Sequence, residues 1–404
     1  MLHFNLTEFI SEHVTGRTES LFLPDLEAKR EILSERIAGK SVLVIGGAGT
    51  IGASFVKAIL RFRPGKLYIV DVNENGLTEV VRDLRSTEGI ELPSVLKTYP
   101  VNFGDPVFEK LFRQEGPFHI VANFAAHKHV RSEKDPYSIE AMLENNVLRA
   151  KRLLDLLLEF PPERFFCVST DKAANPVNVM GASKKLMEEL ILAYSRYFPV
   201  TTARFANVAF SNGSLPAGFL ERLMKKQPLS APADVERYFV SPEESGQICL
   251  LACVLGNSGE IFFPKLDQAL HTKRFSEIAT SLLQSIGYQP QLFLTEAAAR
   301  SAAASMNGNG YYPVVYFNSD TSGEKPIEEF CTEEEEVDEG RFQALGVIKN
   351  APAKSLEEVK EMFDALKNLF LEPSVSKERI VSLLSGFIPS FEHAETGKNL
   401  DQRM

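Results

Sequence analysis

Cysteine is scarce in this chain of 404 residues, and its four examples, Cys167, Cys249, Cys253 and Cys331, include no Cys-x-x-Cys pair. That argues against a structural zinc site, and the thiols fit a reducing, cytoplasmic setting. His3, His13, His119, His271 and His393 are scattered, so no metal ligand set is expected. Basic residues form no block: 44 Lys and Arg against 54 Asp and Glu leave a net charge of -10. The electrostatic footprint of a nucleic-acid or anionic-membrane binder is missing, and any phosphate must be held locally. No uninterrupted apolar stretch approaches the roughly 20 residues of a membrane helix, and Met1-Leu2-His3-Phe4-Asn5 resembles no signal peptide. Nucleic acid and membrane are therefore not among the expected partners.

What is present is ordinary for a globular chain, with 44% hydrophobic and 24% charged residues and enough length for one large core with attached lobes. From Ser41, short β-branched runs alternate with longer amphipathic stretches. The runs at 42–45, 67–70, 119–122, 165–168 and 201–205 read as strands, and 53–61, 76–84, 139–158 and 180–197 as helices. Such alternation predicts an α/β fold, a doubly wound parallel sheet of the Rossmann type, with ligand chemistry beyond the carboxyl ends of the strands. Residues 1–40 read as an N-terminal arm with a helix over 25–37, and 41–210 as the dinucleotide-binding domain. Residues 211–350 read as a smaller substrate lobe interleaved with that core, and 351–404 as a helical tail whose two helices are separated by Pro373. The acidic run 333–339 is most simply a solvated surface.

The first strand runs into Gly46-Gly47-Ala48-Gly49-Thr50-Ile51-Gly52, followed by an amphipathic helix. Glycines there permit a tight turn and close approach of a pyrophosphate, whose charge meets the N–H groups at the helix start. The spacing Gly-x-x-Gly-x-x-Gly is that of the short-chain dehydrogenases. Asp71 ends the second strand about 20 residues beyond the turn, where an acid bonds a ribose 2′-hydroxyl. A carboxylate there repels a 2′-phosphate, so NAD is favoured, with NADP as the other candidate.

Two segments are more specific: Phe124-Ala125-Ala126-His127-Lys128-His129-Val130, and Ser169-Thr170-Asp171-Lys172-Ala173 continuing to Met180-Gly181-Ala182-Ser183-Lys184. Arg204-Phe205-Ala206-Asn207-Val208, Ser211-Asn212-Gly213-Ser214, Arg237-Tyr238-Phe239, Gly323-Glu324-Lys325 before Glu328-Glu329, and Ile388-Pro389-Ser390-Phe391 extend the pattern over nearly everything after residue 40. Together they resemble the UDP-N-acetylglucosamine 4,6-dehydratases of bacterial polysaccharide and nonulosonic-acid biosynthesis, and among these the branch without membrane helices.

The resemblance implies a tightly bound dinucleotide regenerated each turnover, a UDP-N-acetylhexosamine substrate and a homo-oligomer. In the implied reaction, loss of hydride from C4 gives a ketone that acidifies C5. A base takes the C5 proton, an acid expels the C6 hydroxyl as water, and hydride is returned to C6. By resemblance Lys172 is the base, with a pKa expected to be lowered by nearby Lys184 and the nicotinamide, and Asp171 is the acid. Adjacent Asp-Lys pairs are also common as solvated surface ion pairs.

Met180 precedes Lys184 by one helical turn, where the wider superfamily has Tyr-x-x-x-Lys. A thioether has no transferable proton, so the acceptor of the C4 hydroxyl proton stays open. Ser169 or Thr170 would position the C4 oxygen, and Lys184 would hold the nicotinamide ribose; Met180 also reads as a core methionine. Cofactor contacts are further implied for Gly46, Gly49, Thr50, Ile51, Gly52, Asn102, Ala125, Ala126, Lys128 and Asn146. Asn146 would anchor the catalytic lysine through water or is a buried helix residue. Lys128, His129, Asn207, Ser214 and Arg237 are expected to hold the substrate, with Arg237 as a fork-shaped phosphate donor. Competing readings are a dehydratase that also inverts C5, a UDP-sugar 4-epimerase and a non-catalytic nucleotide-binding paralogue.

Overall fold

A computed structural model describes residues 4–306, 310–319, 323, 325, 327–349 and 351–395. Glu324 of the Gly-Glu-Lys motif lies outside the described residues.

The β-branched runs form six consecutive parallel strands, β1 (Ser41–Ile45), β2 (Lys66–Val70), β3 (Val95–Tyr99), β4 (Ile120–Asn123), β5 (Arg164–Val168) and β6 (Val200–Ala203). With β7 (Glu260–Pro264), β8 (Val337–Asp338) and β9 (Leu345–Ile348) they make one nine-stranded sheet in the order β8-β9-β7-β6-β5-β4-β1-β2-β3. Only β9 and β8 run antiparallel to their neighbours. The sheet is thus the expected doubly wound Rossmann type. Strand order reverses between β1 and β4, and the crevice beyond their carboxyl ends is the ligand position of such sheets.

Buried strands flanked by helices on both faces read as continuous apolar runs, as Val42 to Ile45 and Phe165 to Val168 do. Helix α1 (Thr50–Leu60) follows β1, and α2 (Val179–Ala193) follows β5. Helix α3 (Pro242–Leu255) is apolar nearly all round and buried from Glu244 to Val254, packing against α1. It opens with a capping box, in which Ser241 accepts from Glu244 N–H and the Glu244 carboxylate accepts from Ser241 N–H. The N-terminal arm is fixed to the core: Arg17 forms a buried bidentate pair with Glu244, and Asp25 accepts from the N–H groups of Gln343 and Ala344.

Two small three-stranded sheets carry the rest: 207–208, 236–240 and 272–274 in one, 229–232, 289–292 and 311–317 in the other. Tail helices α4 (Leu356–Phe370) and α5 (Lys377–Phe387) pack against the face of α2. No helix among the described residues is long and apolar enough to cross a membrane.

Several boundaries differ from the sequence expectation. The helix expected over 25–37 is two, Leu23–Ala28 and Arg30–Ile37, parted at Lys29. The stretch 139–158 is three pieces: Pro136–Leu143, a wide π turn at Glu144–Leu148, and Arg149–Glu159. The wide turn holds Asn146, whose amide bonds two other segments, so side-chain chemistry overrides helical periodicity there. The strand expected to reach Phe205 stops at Ala203, and the Arg204 side chain enters a buried ion cluster.

Candidate active site

The turn after β1 is built by glycines that packing requires and by one that packing leaves open. Gly46 has φ 75°, and a Cβ on it would lie 2.5 Å from Ala125 N. A Cβ on Gly52 would lie 2.3 Å from Gly46 O. A Cβ on Gly49, by contrast, would meet only Gly46 O at an ordinary 3.5 Å. Gly49 is the N-cap of α1 and brings no side chain to the first N–H groups of that helix, which is the arrangement that receives an anion.

Asp71 is oriented beside this turn by two backbone donors, Ala48 N–H and Asn73 N–H, both at 2.9 Å. Thr50 Oγ1 accepts from Asn212 N–H at 2.9 Å, which lands the 211–214 turn on the glycine turn. There Gly213, at φ 75°, lies so close to the His129 ring that a Cβ would sit 3.0 Å from it. Ile51 packs on the main core. The residues fit a dinucleotide: a glycine turn, an uncapped helix start and an aligned carboxylate.

The loop after β4 supplies the opposite wall. Ala125 N–H bonds Asn123 Oδ1, and Ala126 is half-buried. Asn102 Oδ1 accepts from Gly104 N–H, shaping a turn after β3. Asn146 accepts from His127 N–H at 2.8 Å and donates to His127 O at 2.9 Å and Ser183 Oγ at 3.0 Å. Asn146 therefore clamps this loop to α2 directly, where the sequence suggested a water link to a lysine. Lys128 and His129 reach solvent, yet desolvation pushes both pKa values down, and Lys128 adds to the effect on His129.

At the mouth of β5 the segment Ser169 to Lys172 turns inward. Thr170 Oγ1 donates to Asp171 Oδ1 at 2.8 Å. Lys172 Nζ lies 3.1 Å from Asp171 Oδ1 and 3.3 Å from Glu328 Oε1, with both carboxylate side chains 3% exposed. With Asp171 buried and the Lys172 side chain 17% exposed, this is not a solvated surface pair. Ser169 is buried and its hydroxyl donates to Glu188 at 2.6 Å, so its proton is committed away from any substrate.

The expected lowering of the Lys172 pKa is corrected by these contacts. Burial opposes its charge and Arg237 adds to that, but Asp171 and Glu328 outweigh both, and the pKa is raised. At the mouth of β5 the lysine whose pKa is lowered is instead Lys184, wholly buried, its Nζ donating to Val168 O at 2.9 Å beneath the end of the strand. Met180 is buried in the first turn of α2.

Of the expected substrate residues, Asn207 and Arg237 lie on paired strands of one small sheet. Arg237 is buried and donates to the carbonyls of Glu236 and Lys325. Ser214 caps the helix Leu215–Met224 by accepting from Ala217 N–H.

Residues without a role in the sequence reading complete the site. Glu328 closes on Lys172 from a remote segment. Arg204, fully buried, bonds Glu188 on α2 and Glu335 bidentately and also donates to Phe330 O. Glu133 accepts from Val179 N–H at the start of α2 and pairs with His393 and Lys377. Glu133, His393 and Glu395 present ligand atoms within 4.8 Å of one another, but the Lys377 ammonium pairs with both carboxylates. The sequence offered Arg204 and Glu328 only as members of longer motifs and Glu335 only within an acidic run read as solvated surface, and nothing local in these segments says what they meet.

The sequence model of the family described as polysaccharide biosynthesis protein matches residues 42–350. The chain is 31% identical over 259 residues to an uncharacterized membrane protein of Methanocaldococcus jannaschii, covering 62% of this chain and 74% of that one. It is 28% identical over 299 residues to the probable polysaccharide biosynthesis protein EpsC of Bacillus subtilis, covering 71% of this chain and 48% of that protein, so it spans about half of that relative. It is 27% identical over 262 residues to a UDP-N-acetylglucosamine 4,6-dehydratase (inverting) of Campylobacter jejuni, covering 61% and 73%. Among solved structures, Pen from Bacillus thuringiensis superposes with a TM-score of 0.62 at 19% identity, covering 82% of this chain and 98% of that one. DesIV, a dTDP-glucose 4,6-dehydratase from Streptomyces venezuelae, superposes with 0.54 at 19%, covering 72% and 88%. These two likenesses concern the fold alone.

Proposed function

The chain belongs to the polysaccharide biosynthesis protein family, and from that premise we propose that it dehydrates a UDP-N-acetylhexosamine across C5 and C6, with NAD as its dinucleotide. The observation that carries this reading is the buried Asp171–Lys172 pair at the mouth of β5, an acid and a base hydrogen-bonded to one another beside the switch point of the sheet. Support for the substrate class comes from the Campylobacter dehydratase relative, and for the dinucleotide from the fit of the glycine turn and Asp71.

When bound, the nicotinamide supplies the hydride acceptor for C4 and the hydride donor for C6. The Gly46 to Gly52 turn and the first N–H groups of α1 hold the pyrophosphate, and Asp71 holds the ribose 2′-hydroxyl. Once C4 is a ketone, Lys172 removes the acidified C5 proton and Asp171 protonates the C6 hydroxyl, which leaves as water. The proton that Asp171 gives up comes from Lys172, and the pair returns to ammonium and carboxylate once the C5 proton is on Lys172. Thr170 Oγ accepts a hydrogen bond from the C4 hydroxyl while donating its own hydrogen to Asp171 Oδ1; the C4 proton passes to solvent as the hydride leaves, and C5 is reprotonated from solvent. Met180 then needs no proton chemistry. Lys128, His129 and Arg237 face the substrate pyrophosphate.

The test is proton NMR of UDP-N-acetylglucosamine incubated with protein and NAD in deuterated buffer. A new C6 methyl signal with deuterium at C5 is the expected result. A C4-epimerised sugar without a methyl signal would make the protein an epimerase. An unchanged spectrum with NAD bound would defeat the assignment to this sugar.

A further inference from the structure

Two carboxylates hold Lys172, and only Asp171 has a part in the reaction proposed above. The other, Glu328, is buried, with Oε1 3.3 Å from Lys172 Nζ and 3.9 Å from Arg237 Nη2. Burying a carboxylate is costly unless it is paired, and removing one partner of such a pair leaves the other charge uncompensated. Here two acids, Asp171 and Glu328, face two bases, Lys172 and Arg237, and the four charges sum to zero.

The segment bearing Glu328 is held from several sides. Arg237 Nη1 donates to Lys325 O at 2.9 Å, Asn175 Nδ2 to Glu329 Oε2 at 2.8 Å, and Arg204 to Phe330 O at 2.9 Å. Glu328 is therefore presented to Lys172 from a fixed backbone.

We propose that Glu328 is a positioning residue for Lys172: it keeps the amine aligned with Asp171 and supplies the negative charge that remains opposite Arg237 when a proton passes from Lys172 to Asp171. The proposal rests on the reading of Lys172 as the base that takes the C5 proton. In that passage one N–H bond of Lys172 breaks and one O–H bond of Asp171 forms. The nitrogen lone pair so exposed is what later accepts the C5 proton. The pair goes from opposite charges to none, and Glu328 and Arg237 still oppose one another, so the summed charge of these four groups does not change.

Among the described residues, the charged groups facing Lys172 are Asp171 from its own turn, Glu328 from the 327–335 segment and Arg237 from the strand Glu236–Val240. Burial and Arg237 lower its pKa, while Asp171 and Glu328 raise it and prevail. Neutralising Glu328 removes one raising charge, so Lys172 gives up its proton at lower pH. The Asp171–Lys172 pair works with one shared proton, and losing it ends activity on the alkaline side. Glu328→Gln therefore moves the alkaline limb of the rate profile to lower pH.

The first readout needs no turnover: labelling of Lys172 by acetic anhydride across a pH series, followed by peptide mass spectrometry. In E328Q, Lys172 becomes reactive at lower pH than in the wild type, and in E328D, which keeps the charge, it does not. The second readout is kcat and KM against pH with UDP-N-acetylglucosamine and NAD. E328Q loses roughly 10- to 100-fold in kcat with KM little changed and the alkaline limb displaced, whereas E328D loses less and keeps the limb. If E328Q does not fold, E328D decides: a lower kcat with an unmoved limb supports the proposal, and wild-type kcat overturns it. An unmoved Lys172 labelling profile in folded E328Q also overturns it. K172A separates the two readings. C5 exchange persisting in K172A defeats Lys172 as the base, whereas exchange abolished in K172A beside wild-type behaviour of E328Q defeats only the role of Glu328.

Discussion

Thr170 carries the most exposed step of the proposed chemistry, because its hydroxyl links the open side of the cleft to Asp171 Oδ1 at 2.8 Å. Replacing it by Val keeps the shape and removes the hydroxyl that orients the C4 oxygen. We expect T170V to lose on the order of 100-fold in kcat while T170S, which retains the hydroxyl, stays within a few-fold of wild type; equal losses in both would point to packing instead of hydrogen bonding. The two lysines nearby illustrate how environment divides one residue type. Lys184 meets burial with a carbonyl for company and its pKa falls, whereas Lys172 meets burial with two carboxylates and its pKa rises. Adjacency of Asp171 and Lys172 was legible in the sequence. The sign of the Lys172 shift was not, because Glu328 and Arg237 arrive from distant parts of the chain.

At the scale of elements, the turn between β1 and α1 separates packing from ligand approach. Gly46→Ala would place a methyl against the backbone of Phe124 and Ala125 at a φ that L residues avoid, and neither neighbour is a flexible side-chain end that could yield. It should destabilise the protein by about 2–4 kcal/mol in chemical denaturation. Gly49→Ala meets no such obstacle and should change stability by no more than about 1 kcal/mol, yet weaken dinucleotide binding roughly ten-fold, read by calorimetric titration. Loss of stability in Gly49→Ala, or unchanged affinity, would show that its open face is not where the pyrophosphate lies. This turn was readable because its signal is local: strand, glycines and helix follow one another within a dozen or so residues. The π turn at Glu144–Leu148 was not, because the apolar spacing of 139–158 is helical throughout and only Asn146's reach to His127 and Ser183 shows the departure.

Over the whole molecule, remote segments are fastened to α2. Arg204 joins Glu188 on that helix to Glu335, and through Phe330 O it steadies the segment that carries Glu328. Arg204→Met would take the bidentate cation from buried Glu188 and from half-buried Glu335, leaving Glu188 only the longer contact to Lys185, and should cost about 3–5 kcal/mol in denaturant midpoint measurements. It should also lower kcat by releasing Glu328. From the other side, the 392–394 tail pairs with Pro176 and Val177 by backbone hydrogen bonds, and Glu133 ties Val179 N–H to His393. Phe391 is buried in the cluster between α2 and the tail helices. Phe391→Ala should cost about 3–5 kcal/mol, and a change near zero would show that the tail is not fastened to the catalytic helix.

The sequence by itself determined whatever is set by neighbours along the chain: the parallel strands from their β-branched runs, the glycine turn from its spacing, Asp71 at a strand end, and the Asp171-Lys172 juxtaposition. Tertiary structure alone decided which distant charges meet. Coulomb interactions in a buried site depend on separation in space, and only folding brings Glu328 and Arg237 to Lys172, or Glu335 to Arg204. The identity of the acid–base pair was thus local information, and its protonation behaviour was a property of the folded whole.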